Sequence, residues 1–134
     1  MTKRPPTRPA RSRPRARPEA PAALEAAVAA CGERQAVDGV VLDLRRLSDA
    51  TDFFLVVSGT SDTHVRAIAE GVVETLQTQG VRPHHIEGLP QGRWVLLDFV
   101  DFVVHVFHRE ARVFYDLERL WADAPVERFG GNGD

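Results

Sequence analysis

The sequence predicts an α/β domain in which helices flank a mixed β-sheet of about five strands. Three observations carry that expectation. Apolar runs of strand length recur at residues 39–44, 53–58, 94–99 and 102–107. Two further segments space their apolar residues three and four apart, as one face of a helix requires. Helix and strand patterns also alternate along the chain, in the order α-β-β-α-β-β-β-α, with no internal repeat.

Each element has a local reason. PAALEAAVAACGE reads as a helix with Pro21 in its first turn and Gly32 near its end. GVVLDL is a strand, RRLSDATD a polar connection, and FFLVVS a fuller, central strand. A helix follows from Asp62 to about Gln79, presenting Val65, Ile68, Ala69, Val72 and Leu76 to the sheet until Gly80 stops it. HHIEG is a short strand, and Gly88, Pro90 and Gly92 make a turn. WVLLDF and FVVHVF, almost contiguous, form a hairpin. REARVFYDLERLW closes as an amphipathic helix with Val113, Phe114, Leu117, Leu120 and Trp121 on one stripe.

Charge divides the 134 residues unevenly. Residues 1 to 18 hold Lys3 and six arginines with no acid, whereas the remainder holds ten arginines and nineteen acids, a net −9. Five prolines in the basic stretch forbid a stable helix there. The expected organisation is a disordered Arg/Pro-rich arm over 1–21, one domain over 22–124 and a flexible tail over 125–134. A solubilising extension is the first reading of the arm, and weak contact with RNA the second. An organellar address is opposed by the prolines. The acidic body would repel naked nucleic acid and suits a basic protein partner. The single cysteine, Cys31, excludes an internal disulfide and fits a reducing compartment. No run is long and apolar enough for a bilayer, so a cytoplasmic protein with no membrane partner is expected.

The segment SGTSDTHVRAIAE, residues 58 to 70, raises the question of chemistry. A small-residue turn between a strand and a helix N-terminus can cradle a phosphate. It can equally be a cap, with Ser61 accepting from the first helical turn and Asp62 complementing the dipole. Asp62 favours the cap, because its charge stands where a phosphate would. A catalytic metal would need converging carboxylates, and no D-x-D follows the loop; Asp98 and Asp101 lie three apart. No Walker lysine is present, and the histidines 64, 84, 85, 105 and 108 show no zinc spacing with Cys31. The expectation is a protein that is no enzyme, with no catalytic residue, metal or cofactor. The alternative is a metal-dependent nucleotidyltransferase using Ser58 to Asp62 with Asp98 or Asp101.

Several stretches together resemble the ribosomal silencing factor, or Iojap-like, family. They are TDFFLVVSGTSDTHVRAIAE, the spaced G-V-x-P-x-x-x-E-G from Gly80 to Gly88, WVLLDF, DFVVHVF and E-x-R-x-F-Y-D-L-E-x-L-W from Glu110 to Trp121. The resemblance covers about Leu24 to Trp121. It implies a fold like that of nucleotidyltransferases without their catalytic carboxylates. It also implies binding to the large ribosomal subunit through its protein number fourteen, at the face that meets the small subunit. Blocking subunit joining there would repress translation when nutrients are short. Oligomeric state is left open, although the family is often dimeric. One departure stands out: the family usually carries Gly-Asp at the hairpin turn, where this chain has Val100-Asp101.

A hairpin with Phe99 and Val100 as its loop would pair Asp98 with Asp101 and Trp94 with His105. Trp94, Leu96, Val103, His105 and Phe107 then share one face, and Val95, Leu97, Val104 and Val106 the other. With helices burying the second face, the first becomes a contact surface. Trp94, Leu96, His105 and Phe107 are its expected anchors, and Asp98 an acidic rim. The resemblance supports contact through Trp94. Arg112 and Tyr115, which share a helix face with Arg119, are expected as a polar rim beside them.

Overall fold

The computed structural model describes residues 21–115, 119 and 122–130. The arm before Pro21, the side chains of Val113, Phe114 and Tyr115, and the stripe positions Leu117, Leu120 and Trp121 lie outside the described residues. The elements are α1 (Ala22–Glu33), β1 (Val37–Asp43), β2 (Phe53–Gly59), α2 (Asp62–Gln77), β3 (His85–Glu87), β4 (Trp94–Asp98), β5 (Phe102–His108), α3 (Arg109–Tyr115) and β6 (Val126–Phe129). The strands form one sheet in the order β3-β4-β5-β2-β1-β6. Only β2 and β5, at its centre, run parallel. The α/β class and the mixed sheet are as the sequence predicts.

One face of the sheet carries α1 and α2. Phe53, Leu55 and Val57 of β2 and Phe102, Val104 and Val106 of β5 pack there against Leu24, Ala27 and Cys31 of α1. The α2 stripe of Val65, Ile68, Ala69, Val72 and Leu76 is buried throughout. Burial pushes the Cys31 thiol up to about 12, so it acts as a small apolar group. Gly32 stays within α1; the stop comes three residues on, where Gln35 adopts φ 61°. Gln35 N–H donates to the Gly32 carbonyl and Ala36 N–H to that of Cys31, the paired bonds of a Schellman motif.

The opposite face is only partly covered. Ala124 packs with Val40, Leu42 and Leu44, and Ala111 of α3 packs with Val56 and Phe107. Outside these covers, Trp94, Leu96 and Asp98 of β4 and Val103 of β5 remain half-exposed.

Two expectations need correction. The sheet has six strands, because residues 126–129, expected within a flexible tail, form β6 against β1. A slot receives it: a methyl group on Gly39 would stand 2.4 Å from the Phe129 ring. VERF has no alternating apolar pattern of its own, so its strand depends on this tertiary contact. The hairpin register is also shifted, since Trp94 pairs with Phe107, Leu96 with His105 and Asp98 with Val103. Phe99 N–H donates to the Phe102 carbonyl, leaving Val100 and Asp101 as the loop. The reason is apolar: the buried rings of Phe99 and Phe102 stack with centroids 5.0 Å apart and close the hairpin. Moving the loop by one residue slides each pairing by two, so every side chain keeps its expected face.

Candidate partner-binding surface

The open face is built in rows that cross four strands. One row runs His85, Asp98, Val103 and Phe54; the next runs Glu87, Leu96, His105 and Val56; a third joins Trp94 to Phe107 and Ser58. The rows place Trp94, Leu96, Asp98, Val103, His105 and Phe107 on one face, as expected, with Phe54 added. Period two in FFLVV allowed Phe54 to face this way. The parallel partnership of β2 with β5, which brings it beside Val103, has no local signature in sequence.

Within this set the residues divide by depth. Trp94 and Leu96 are half-exposed, whereas His105 is 4% exposed and Phe107 wholly buried. Phe107 stacks beneath Trp94 with ring centroids 5.1 Å apart. The indole Nε1–H of Trp94 donates to Nδ1 of His105 over 3.1 Å. Phe54 meets the same imidazole edge-on at 4.5 Å. Burial among these groups lowers the His105 pKa to about 4, so the ring is neutral near pH 7. Because Nδ1 accepts, the proton resides on Nε2. Nε2 is buried and has no hydrogen-bond partner among the described residues, a cost of about 1–3 kcal/mol.

Beside Leu96 and Asp98 the face dips into a recess of about 350 Å³, walled by Ser48, Ala50, Thr51, Phe54, Val100, Val103 and His105. The hairpin turn forms one lip. Val100 holds φ 75°, and Asp101 N–H donates to the Phe99 carbonyl two residues back, which is the arrangement of a strained γ-turn. Three contacts brace it. Asp98 accepts from Val100 N–H at 2.8 Å, Thr51 Oγ1 donates to the Val100 carbonyl, and Asp52 N–H donates to that of Asp101. Val100 itself is 56% exposed.

The loop that raised the question of catalysis is organised as a cap. Ser61 Oγ accepts from His64 N–H at 3.0 Å at the start of α2. Asp62 faces Arg93 at 3.9 Å and His108 at 4.0 Å. His64 accepts from Thr60 N–H at Nδ1, and its Nε2 lies 2.8 Å from the Arg34 carbonyl, pinning α1 to this loop. Ser58, fully buried, accepts from Arg112 Nη1, which also donates to the Asp38 carbonyl at the β1 bulge. Arg112 is therefore turned inward to tie α3 to the sheet, away from the polar rim expected of it. Asp98 and Asp101 belong to the opposite end of the sheet. Phe53 pairs with Phe102 at one end of β5 and Gly59 with His108 at the other, a separation of roughly 20 Å at about 3.3 Å per residue. Asp62 and those two carboxylates cannot share one ion. Among the described residues no group of three or more metal-ligating side chains is gathered, and no helix is long and apolar enough to cross a membrane.

The model of a family described as "Ribosomal silencing factor during starvation" matches residues 17–132. The chain belongs to the ribosomal silencing factor family. A ribosomal silencing factor of Bacillus subtilis is 43% identical over 103 residues, covering 77% of this chain and 87% of that relative. A crystal structure from Bacillus halodurans superposes with a TM-score of 0.70 at 40% identity, over 79% of this chain and 96% of that one. Another, from Chromobacterium violaceum, gives 0.74 at 31% identity, over 84% and 94%. The family resemblance drawn from the sequence words is therefore correct, and the sheet just described has experimental counterparts.

Proposed function

We propose that this protein silences ribosomes by occupancy, docking the Trp94 face on the large subunit at its protein number fourteen and so preventing the small subunit from joining. The observation that carries the reading is the uncovered part of the sheet. Trp94, Leu96, Val103 and the exposed Val100 form an apolar surface on the part of that face that Ala111 and Ala124 leave open. Asp98, Asp101, Asp49 and Glu87 stand on or beside the same strands and loops and give it an acidic border. Aromatic anchors ringed by charge are what a basic protein surface engages. The family supplies the ribosome as the setting. No reaction step is needed, so the reading requires neither cofactor nor metal, and it places the protein in the cytoplasm with the ribosomes. The same flat surface would serve a homodimer, which would then compete with the ribosome. RNA contact by the arm belongs to residues outside those described.

Co-sedimentation with isolated large and small subunits tests this directly. Wild type should travel with the large subunit alone, and Trp94→Ala should weaken that by about tenfold or more, equivalent to roughly 1.4 kcal/mol. Equal binding by both proteins would move the interface off this face. Failure to bind either subunit would remove the reading altogether.

A further inference from the structure

The geometry points to His105 as the positioning residue of the surface: its Nδ1 holds the Trp94 indole N–H inside the chain, so that Trp94 meets its partner as a purely apolar anchor. This inference rests on the docking role proposed above and specifies how the anchor is prepared.

Trp94 has one polar side-chain atom, and that atom can only donate. On a half-exposed tryptophan it would ordinarily seek water or an acceptor on the partner. Here it is directed to an imidazole that is itself 4% exposed. The acceptor is held from several sides. Phe54 meets the ring edge-on at 4.5 Å, Phe107 stacks on it with centroids 6.2 Å apart, and the cross-strand pairing with Leu96 fixes the backbone beneath. Phe107 also underlies the indole at 5.1 Å with planes 23° apart. One ring thus sets the height of the indole, while His105 sets its rotation.

The neighbouring nitrogen argues for purpose at this position. Nε2 carries a proton with no acceptor among the described residues. Leucine would avoid that orphaned donor, so stability alone does not call for histidine inside VVHVF. What histidine contributes that leucine lacks is an acceptor pointed at Trp94. A consequence for recognition follows: the partner surface opposite Trp94 needs no hydrogen-bond acceptor for the indole, and aliphatic stems or a cation over the ring suit it.

The test uses the full chain, uniformly ¹⁵N-labelled, and isolated large ribosomal subunits. The chain contains two tryptophans, so the indole resonance lost in Trp94→Phe identifies Trp94. In wild type that indole proton should exchange with water at least tenfold more slowly than a free indole, and His105→Leu should abolish the protection. His105→Leu should also weaken subunit binding about three- to tenfold in the wild-type background and leave binding unchanged in the Trp94→Phe background. Unprotected exchange in wild type overturns the inference, and so does an equal loss of binding in both backgrounds. Should His105→Leu fail to fold, the wild-type exchange rate still decides. Loss of protection without any effect of either residue on binding would leave the Trp94–His105 pair intact and refute the docking role instead.

Discussion

The buried imidazole makes stability depend on pH in a window that can be calculated. In the unfolded chain His105 takes up its proton near pH 6.5, whereas in the fold burial delays this until about 4. Between those values the unfolded state binds more protons than the native one, so stability rises with pH across the window. The contribution is complete above pH 6.5 and is lost progressively as pH falls toward 4. At about 1.4 kcal/mol per pH unit the displacement amounts to about 3 kcal/mol. Among the described residues His105 packs against Trp94, Phe54, Phe107, Leu96 and Val56, none of which carries charge, and Asp98 shares the recess that His105 lines. Asp43 acts in a different window. Burial pushes its carboxyl up, but the stronger effect of hydrogen bonds and charge from Arg45 holds it below the usual 3.8, so its contribution disappears only at lower pH. Urea unfolding of wild type and His105→Leu at half-unit steps from pH 7 to 4.5 isolates the His105 contribution as the difference between the two. The variant should match or exceed wild type at pH 7, because it lacks the orphaned Nε2–H, and its advantage should grow on acidification. Parallel pH profiles for the two proteins would refute the burial argument.

Three further outcomes are expected. Val100→Gly should raise stability by up to about 1 kcal/mol, since relief of roughly 1–2 kcal/mol of left-handed strain outweighs the added freedom of the unfolded chain; denaturant midpoints measure it, and a fall would show that the bracing by Asp98 and Thr51 already removes the strain. Ser61→Ala should cost about 1 kcal/mol through the lost cap on α2, read by thermal unfolding. Gly39→Ala should cost roughly 1–3 kcal/mol by driving a methyl into the Phe129 ring, and hydrogen exchange should then show the amides of Val126–Phe129 losing protection while those of β2 and β5 keep theirs.

The sequence made legible whatever is encoded locally. The α2 stripe, its Ser61 cap and the apolar run of β2 need only neighbouring residues to declare themselves, and the structure has them where the pattern puts them. The faces of the β4–β5 hairpin were legible for the same reason, because alternation assigns each side chain a side. Alternation is blind, however, to a slide of two, so the stacking of Phe99 on Phe102 had to choose the register. Arg112 illustrates a different limit: a helix wheel presents it as solvent-facing, and only the bulge at Asp38 and the buried hydroxyl of Ser58 draw it inward. For the candidate site, the shared face of Trp94 and Leu96 could be read from pattern, while the contact role proposed for Trp94 came from the family resemblance. Phe54 and the recess between residues 48–51 and Val100 arise from contacts across fifty residues of chain, which no local signal carries.

The seat of Phe129 on Gly39 also bears on how the molecule is made. β1 lies near the start of the domain and its outer neighbour β6 near the end of the described chain, so during synthesis β1 must present an open edge until residues 126–129 have emerged. Unpaired strand edges invite pairing with other chains. The same residues that complete the sheet therefore act as its seal. A nascent or proteolytically shortened chain without them would retain the Trp94 surface but expose Val40 to Leu42 as a template for aggregation, which separates the capacity to dock from the capacity to persist in solution.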